Sequence, residues 1–147
     1  MGIDFTWFST TLVKEMADAV IYADAKGEIQ VWNKGAEHIF GFTQSEAIGQ
    51  SLDIIIPVNL RKRHWEGYEN TMRTGQSHYA AGDLLAVPAT KKDGTRISIE
   101  FTVLPFSDES GQMVGIAAIL RDVTKQFAQT RALRKELAEL KAQSPLE

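Results

Sequence analysis

The sequence predicts an α+β domain in which helices cover one face of a five-stranded sheet. Three observations carry this. The period of the apolar residues changes along the chain in the order helix, two strands, several short helices, one long helix, three strands, helix. Two glycine-bearing turns, "DAKGE" and "KKDGT", each join two short β-rich runs. A chain of 147 residues with 44% hydrophobic and 24% charged side chains is the size and balance of one domain with a single core.

Residues 1–19 form an N-terminal amphipathic segment, with a helix expected over 4–19. Phe5, Phe8, Leu12, Met16 and Ala19 recur three or four apart, and Trp7 and Val13 widen the stripe. Such a helix must dock on its own domain or on a second copy. The opening "MGIDFT" formally fits a myristoylation pattern, but it reads more simply as the approach to this helix. Two strands follow at 20–23 and Ile29–Trp32, with Gly27 supplying the positive dihedral of their turn. Asn33 caps a short helix, Lys34–Phe40, that Gly41 ends. Thr43 with Glu46 makes a capping box, and Gly49 stops that turn. "SLDIII" adds one more turn before Pro57, which fits the start of a long helix running to about Thr74, with Gly75 as its stop.

That helix, "RKRHWEGYENTMRTG", carries Leu60, His64, Tyr68 and Met72 on one face and mostly charged residues elsewhere. A histidine therefore sits inside an apolar stripe. Gly67 in its interior suggests close approach of another group. The remainder is β. Pro88 marks the third strand as an edge or interrupted strand. Ile97, Ile99, Phe101 and Val103 alternate with polar residues in the fourth. "MVGIAAILRDV", apolar on both faces, reads as a central strand. Residues 124–147 form a C-terminal helix with Thr124 as its cap. Leu133, Leu137 and Leu140 hold a coiled-coil seam whose register Val123 and Thr130 complete. Leu146 and Glu147 fit a vector-derived remainder, in which case the natural chain runs on.

Composition excludes several classes. The absence of cysteine rules out disulfides, cysteine-ligated zinc, iron–sulfur clusters and a cysteinyl photoadduct. A net charge of −3 argues against a general nucleic-acid or anionic-membrane binder. No signal peptide or membrane span is visible, so a cytoplasmic location is the default expectation. No nucleophile elbow, Walker loop or metal-spaced His/Glu set is present, so catalysis is not expected.

With "DAVIYADAKGEIQVWNKGAEHIFGFTQSEAIGQSL", "KKDGTRISIEFTVLP" and "GIAAILRDVT" in place, the chain resembles the PAS family of sensory domains, also called S-box domains. The resemblance covers residues 20–123. It implies a five-stranded antiparallel sheet of order 2-1-5-4-3, a pocket between sheet and helices, and a coupling role for Asp122 and Thr124 at the start of the last helix.

Such pockets hold haem, flavin, a small organic molecule or only side chains. Flavin is not supported: cysteine is absent, and the last two strands carry no Asn or Gln for the ring. Haem needs an imidazole, an apolar wall and polar groups for its propionates. His64 offers the imidazole. Ile97, Ile99, Phe101 and Val103 offer a wall, Gly115, Ala117 and Ala118 leave room, and Arg61, Arg63 or His78 face the propionates. "RHWEGY" followed by "TG" and His78 is similar to the matching region of rhizobial haem oxygen-sensor kinases. That similarity implies haem b, with His64 as iron ligand and His78 near a propionate. The sensors' gas-binding arginine is replaced here by Leu84 or Leu85, and a second arginine by Asn70. The plain alternative is that His64 is a core residue bonded to backbone or to Tyr68, and that the pocket holds nothing.

Two functional readings follow. One is a sensory and signal-transduction module that passes the state of a ligand or cofactor through its C-terminal helix to an output domain or partner. The other is a ligand-free interaction and dimerisation module. Both imply a homodimer, through the first helix and the leucine seam.

Overall fold

The structure, a computed structural model, describes residues 2–76 and 85–143. Its first helix, α1 (Phe5–Glu15), starts where the Asp4 carboxylate accepts the amide of Thr6 at 2.9 Å. It stops four residues short of the expected end because Met16 is extended. Asn33 explains the stop. Its amide nitrogen donates to the carbonyls of Val13 (2.8 Å) and Asp18 (3.0 Å), and its oxygen accepts from Val20 N (2.8 Å). These bonds draw the chain down into β1 (Ala19–Asp24), the first strand of the sheet.

The turn at Gly27 (φ 81°) leads into β2 (Ile29–Trp32). Asn33 also caps α2 (Lys34–Phe40), and the Thr43/Glu46 capping box opens α3 (Gln44–Ala47). Single 3-10 turns at Leu52–Ile55 and Val58–Leu60 deliver the chain to α4 (Arg61–Thr74), which ends at left-handed Gly75 (φ 73°). The strands β3 (Leu85–Thr90), β4 (Arg96–Ser107) and β5 (Met113–Asp122) precede α5 (Thr124–Gln143). The five strands pair antiparallel in the order β2-β1-β5-β4-β3.

Pro88 sits on an edge strand, opposite Ser98. The N–H and C=O of Ser98 are both spent on the other side, on Thr124 Oγ1 and Val123 N. Ser98 therefore asks nothing of residue 88, and a residue without an N–H fits there. Strand register fixes the faces. Ile21, Ala118, Val103 and their alternates face the helices, and the largest fully buried side chains, Trp32, Phe40 and Ile29, fill the layer between. Each such side chain contributes roughly 1.5–3 kcal/mol by burial. Gly115 and Ala117 lie on the opposite face with Tyr22, whose ring covers Gly115. Only Ala118 of that trio makes room on the helix side.

Candidate pocket wall on α4

α4 is fastened to the rest of the domain mainly by polar hooks. Its buried residues are Tyr68 and Thr71, and neither belongs to the principal apolar cluster. Tyr68, 8% exposed, donates its hydroxyl to the carbonyls of Ala23 (3.1 Å) and Asp24 (2.6 Å) at the β1–β2 turn. Burial foremost, then the charges of Asp24 and Tyr22, pushes its phenol well above the usual range, so it stays a donor. One turn earlier, the Trp65 indole N–H donates to Asp53 Oδ1 at 2.7 Å, and the far edge of its ring abuts Gly27. A Cβ at position 27 would run into that ring. Arg61 donates Nε to Ile56 O (3.1 Å) and Nη2 to Asp53 O (3.2 Å).

His64 sits among these residues, half-buried. Its ring is 4.6 Å from Trp65, edge to face, and 5.8 Å from Tyr68. Its Nδ1 is buried and has no hydrogen-bond partner among the described residues. Burial lowers its pKa from the usual imidazole value, and the Asp53 carboxylate partly opposes this. A neutral imidazole with an unused buried nitrogen is in the protonation state that metal ligation requires. Among the described residues no second group holds that nitrogen, as a satisfied core histidine would require.

The expected wall is partly assembled. Ile99 is buried on β4, and Phe101 and Val103 are half-buried on the same helix-facing side. Leu85 is half-buried opposite Phe101. The described contacts tie His64 to Asp53, Trp65 and Tyr68 rather than to β4. His78 and Leu84 lie outside the described residues. A Cβ at Gly67 would meet nothing within 4 Å outside its own helix, so among the described residues the close approach expected there is absent. His38 is exposed, as its helical position requires.

Arg61 was placed among the charged residues off the apolar stripe and Trp65 was given no face, yet both belong to the inward one. The available signal was spacing: Arg61, Trp65, Tyr68 and Met72 are also three or four apart. Asp53 and Gly27, the partners of Trp65, had no local signal of that role.

At the other end of the sheet, Asp122 Oδ1 accepts the amide of Thr124 at 2.9 Å and also its hydroxyl. Thr124 Oγ1 in turn accepts Ser98 N at 3.0 Å. Thr124 is thus the first helical residue, and the capping oxygen belongs to Asp122. Arg121 forms a forked ion pair with Asp18 (3.2 and 3.0 Å), which links the start of β1 to the end of β5.

A family model described as the PAS fold matches residues 10–123. The sensor protein FixL of Bradyrhizobium diazoefficiens is 31% identical over 127 residues, covering 86% of this chain and 24% of its own length. The oxygen sensor protein DosP of Escherichia coli is 30% identical over 128 residues, covering 87% of this chain and 16% of its own. The chain thus spans a quarter or less of these curated relatives. Among solved structures, the PAS domain of a Colwellia psychrerythraea protein superposes with a TM-score of 0.72 at 26% identity, over 83% of this chain and 99% of that one. An RNA-binding light-oxygen-voltage receptor shares the fold alone, with a TM-score of 0.70 at 16% identity over 90% of this chain and 37% of that one. No helix among the described residues is long and apolar enough to cross a membrane. The matched family model, the strand order β2-β1-β5-β4-β3 and the helices on one sheet face agree: the chain belongs to the PAS family.

Proposed function

We propose that this PAS domain is the sensory module of a cytoplasmic signalling protein, and that His64 ligates the iron of a resident haem b. The observation that carries the reading is the buried, unpartnered imidazole nitrogen of a histidine that its surroundings keep neutral. Two relatives at about the same identity are named a sensor protein and an oxygen sensor protein, which supports the same reading. When bound, haem supplies an iron atom that takes a diatomic gas. This chain's residues do the rest. Tyr68 and Trp65 hold α4, and so His64, against the β1–β2 turn. Ile99, Phe101, Val103 and Leu85 supply apolar surface that excludes water. With Leu84 or Leu85 where the resemblance places an arginine, the chain would offer no charged donor to a bound gas at that position. His78 and Arg63 are the proposed propionate contacts. Arg61 is not, because its guanidinium is already engaged with two backbone carbonyls.

The state of the pocket passes to α5 through the Asp122–Thr124–Ser98 junction and on to an output domain or partner protein. The domain works as a homodimer. Support comes from α1, which buries none of its residues and leaves Phe5, Phe8 and Leu12 75%, 44% and 48% exposed. The same observation favours the second reading, a ligand-free dimerisation module.

A visible spectrum of the purified protein, with hemin added, separates the two. A Soret band that is lost in His64→Ala is the expected result. Absence of any band after reconstitution overturns the haem reading and leaves the interaction module standing.

A further inference from the structure

We propose that the cleft between α5 and the outer face of β3 and β4 docks an acidic segment of a partner protein, with an apolar side chain of that segment set against Phe127. The proposal gives a chemistry to the partner invoked above, and it stands whether or not the pocket holds haem. The cleft has two walls. One is the sheet face turned away from the covering helices, where Pro88, Arg96 and Glu100 lie. The other is α5, which presents Phe127, Arg131 and Arg134. These last three are four and three residues apart, so they share one face of the helix. Leu133, Leu137 and Leu140 lie about a third of a turn around the helix from them and do not line the cleft. Pairing through those leucines therefore leaves it open. α5 buries none of its residues. Among the described residues it is hydrogen-bonded to the sheet only where it begins, through Val123 N to Ser98 O and Ser98 N to Thr124 Oγ1.

Charge and an uncovered aromatic ring identify the occupant. Phe127 is 53% exposed although it lines the cleft, and a side chain laid there would bury it. The charged lining is three arginines against one glutamate, in a chain whose net charge is −3. Glu100 stands opposite Arg121 of β5 in the strand register, which turns part of its charge away from the cleft arginines. Among the described residues Arg96, Arg131 and Arg134 enter no ion pair. Arg131 and Arg134 are like charges three residues apart on one helical face, an arrangement that costs helix stability until an anion meets them. Carboxylates on the occupant supply that anion, and an arginine holds a carboxylate through two parallel N–H donors. A basic segment would be repelled by the same groups. Strand addition is not the mode of docking. β3 is the open edge of the sheet, but Pro88 leaves it without an N–H at its middle for an added strand to bond. The occupant is held by side chains, and one that touches both walls restrains α5 against the sheet beyond its first turn.

The test uses the full chain without cofactor and a fluorescein-labelled peptide of repeated Glu-Glu-Leu, beside one of repeated Lys-Lys-Leu. Fluorescence anisotropy should show binding of the acidic peptide alone, weakening as salt is added. Arg131→Glu combined with Arg134→Glu should weaken it about tenfold or more, and Phe127→Ser about threefold. Lys26→Glu combined with Lys62→Glu makes the same change of charge on exposed residues away from the cleft, and should leave the affinity within about twofold. Amide exchange in α5 past its first turn should slow when the acidic peptide is present. Equal weakening by the Lys26 and Lys62 changes overturns the cleft and reduces the binding to net charge. No binding of the acidic peptide, or equal binding of the basic one, overturns the acidic occupant. Vesicles containing phosphatidylserine that bind only while Arg131 and Arg134 are intact, with no binding of the peptide, assign the cleft to a lipid surface instead. None of these results bears on the Soret band, so failure here and failure of the haem reading are read separately.

Discussion

Replacing His64 with leucine separates the two roles open to a half-buried histidine. A core histidine earns its place through a hydrogen bond, and its removal costs stability. Here the buried nitrogen has no partner among the described residues, so in the cofactor-free protein it carries the penalty of an unsatisfied buried polar atom, roughly 1–3 kcal/mol. Leucine fills a similar volume beside Trp65 and Tyr68 without that penalty. Because the ring is only half-buried, the low end applies, and the variant should gain about 1 kcal/mol. With a urea m-value of about 2 kcal/mol/M, the unfolding midpoint rises by about 0.5 M. The pH dependence has a definite sign. Burial lowers the folded-state pKa of His64 below its unfolded value of about 6.5. Below that value the unfolded chain binds more protons than the folded one, so wild-type stability is full above about pH 6.5 and falls as pH drops toward the lowered pKa. The leucine variant lacks this slope, and its advantage widens in that window. Urea unfolding of cofactor-free protein at several pH values measures both effects. Hemin should add stability to the wild type and little to the variant. A loss of 1 kcal/mol or more on substitution in the cofactor-free protein would refute the reasoning, because His64 would then be a satisfied structural residue.

Two further substitutions test the ends of the fold. Gly27→Ala forces a side chain into a left-handed backbone (φ 81°) and into the Trp65 ring, for about 1–2 kcal/mol from the dihedral and about 1–3 from overpacking. Adding Trp65→Ala should recover the second part, and strict additivity in a urea double-mutant cycle would show that the two residues do not touch. Thr124→Val removes the hydroxyl that joins Asp122 to Ser98 N, at about 1 kcal/mol. Amide exchange should quicken at Ser98 and in the first turn of α5, and unchanged protection at Ser98 would dismiss the junction as a fastening.

Much of the fold was legible because its signals are local. Gly27, Gly41 and Gly75 adopt the positive dihedrals their turns demand, and Thr43 with Glu46 closes its capping box within four residues. Pro88 announced an edge strand through the hydrogen bond it cannot make. The strand order is not a local property, and it came from the resemblance rather than from any periodicity. The errors arose where distant groups decide. The end of α1 is set by Asn33, more than a dozen residues downstream, and no helix signal near Glu15 records it. The inward and outward faces of β5 are both apolar, so alternation could not say that Gly115 and Ala117 point away from the helices.

α4 shows the same limit at the candidate site, and there the limit has a physical meaning. Hydrophobic periodicity finds the face of a helix that is buried by apolar packing. α4 is held instead by an indole on a carboxylate, a guanidinium on two carbonyls and a phenol on two more. Polar residues at inward positions read as solvated in the sequence, so Arg61 was misplaced and Trp65 passed over, while His64 and Tyr68 were found. A helix fixed by a few hydrogen bonds over two turns, and absent from the main apolar cluster, is not locked by close packing along its length. Each hook contributes only about 1 kcal/mol. If a ligand binds His64 as proposed, a differential affinity of a few kcal/mol would suffice to shift α4 to a second arrangement. The Tyr68 hydroxyl bonds Ala23 and Asp24, which pair directly with Ile116 and Gly115 of β5, and β5 ends at the Asp122–Thr124 junction of α5.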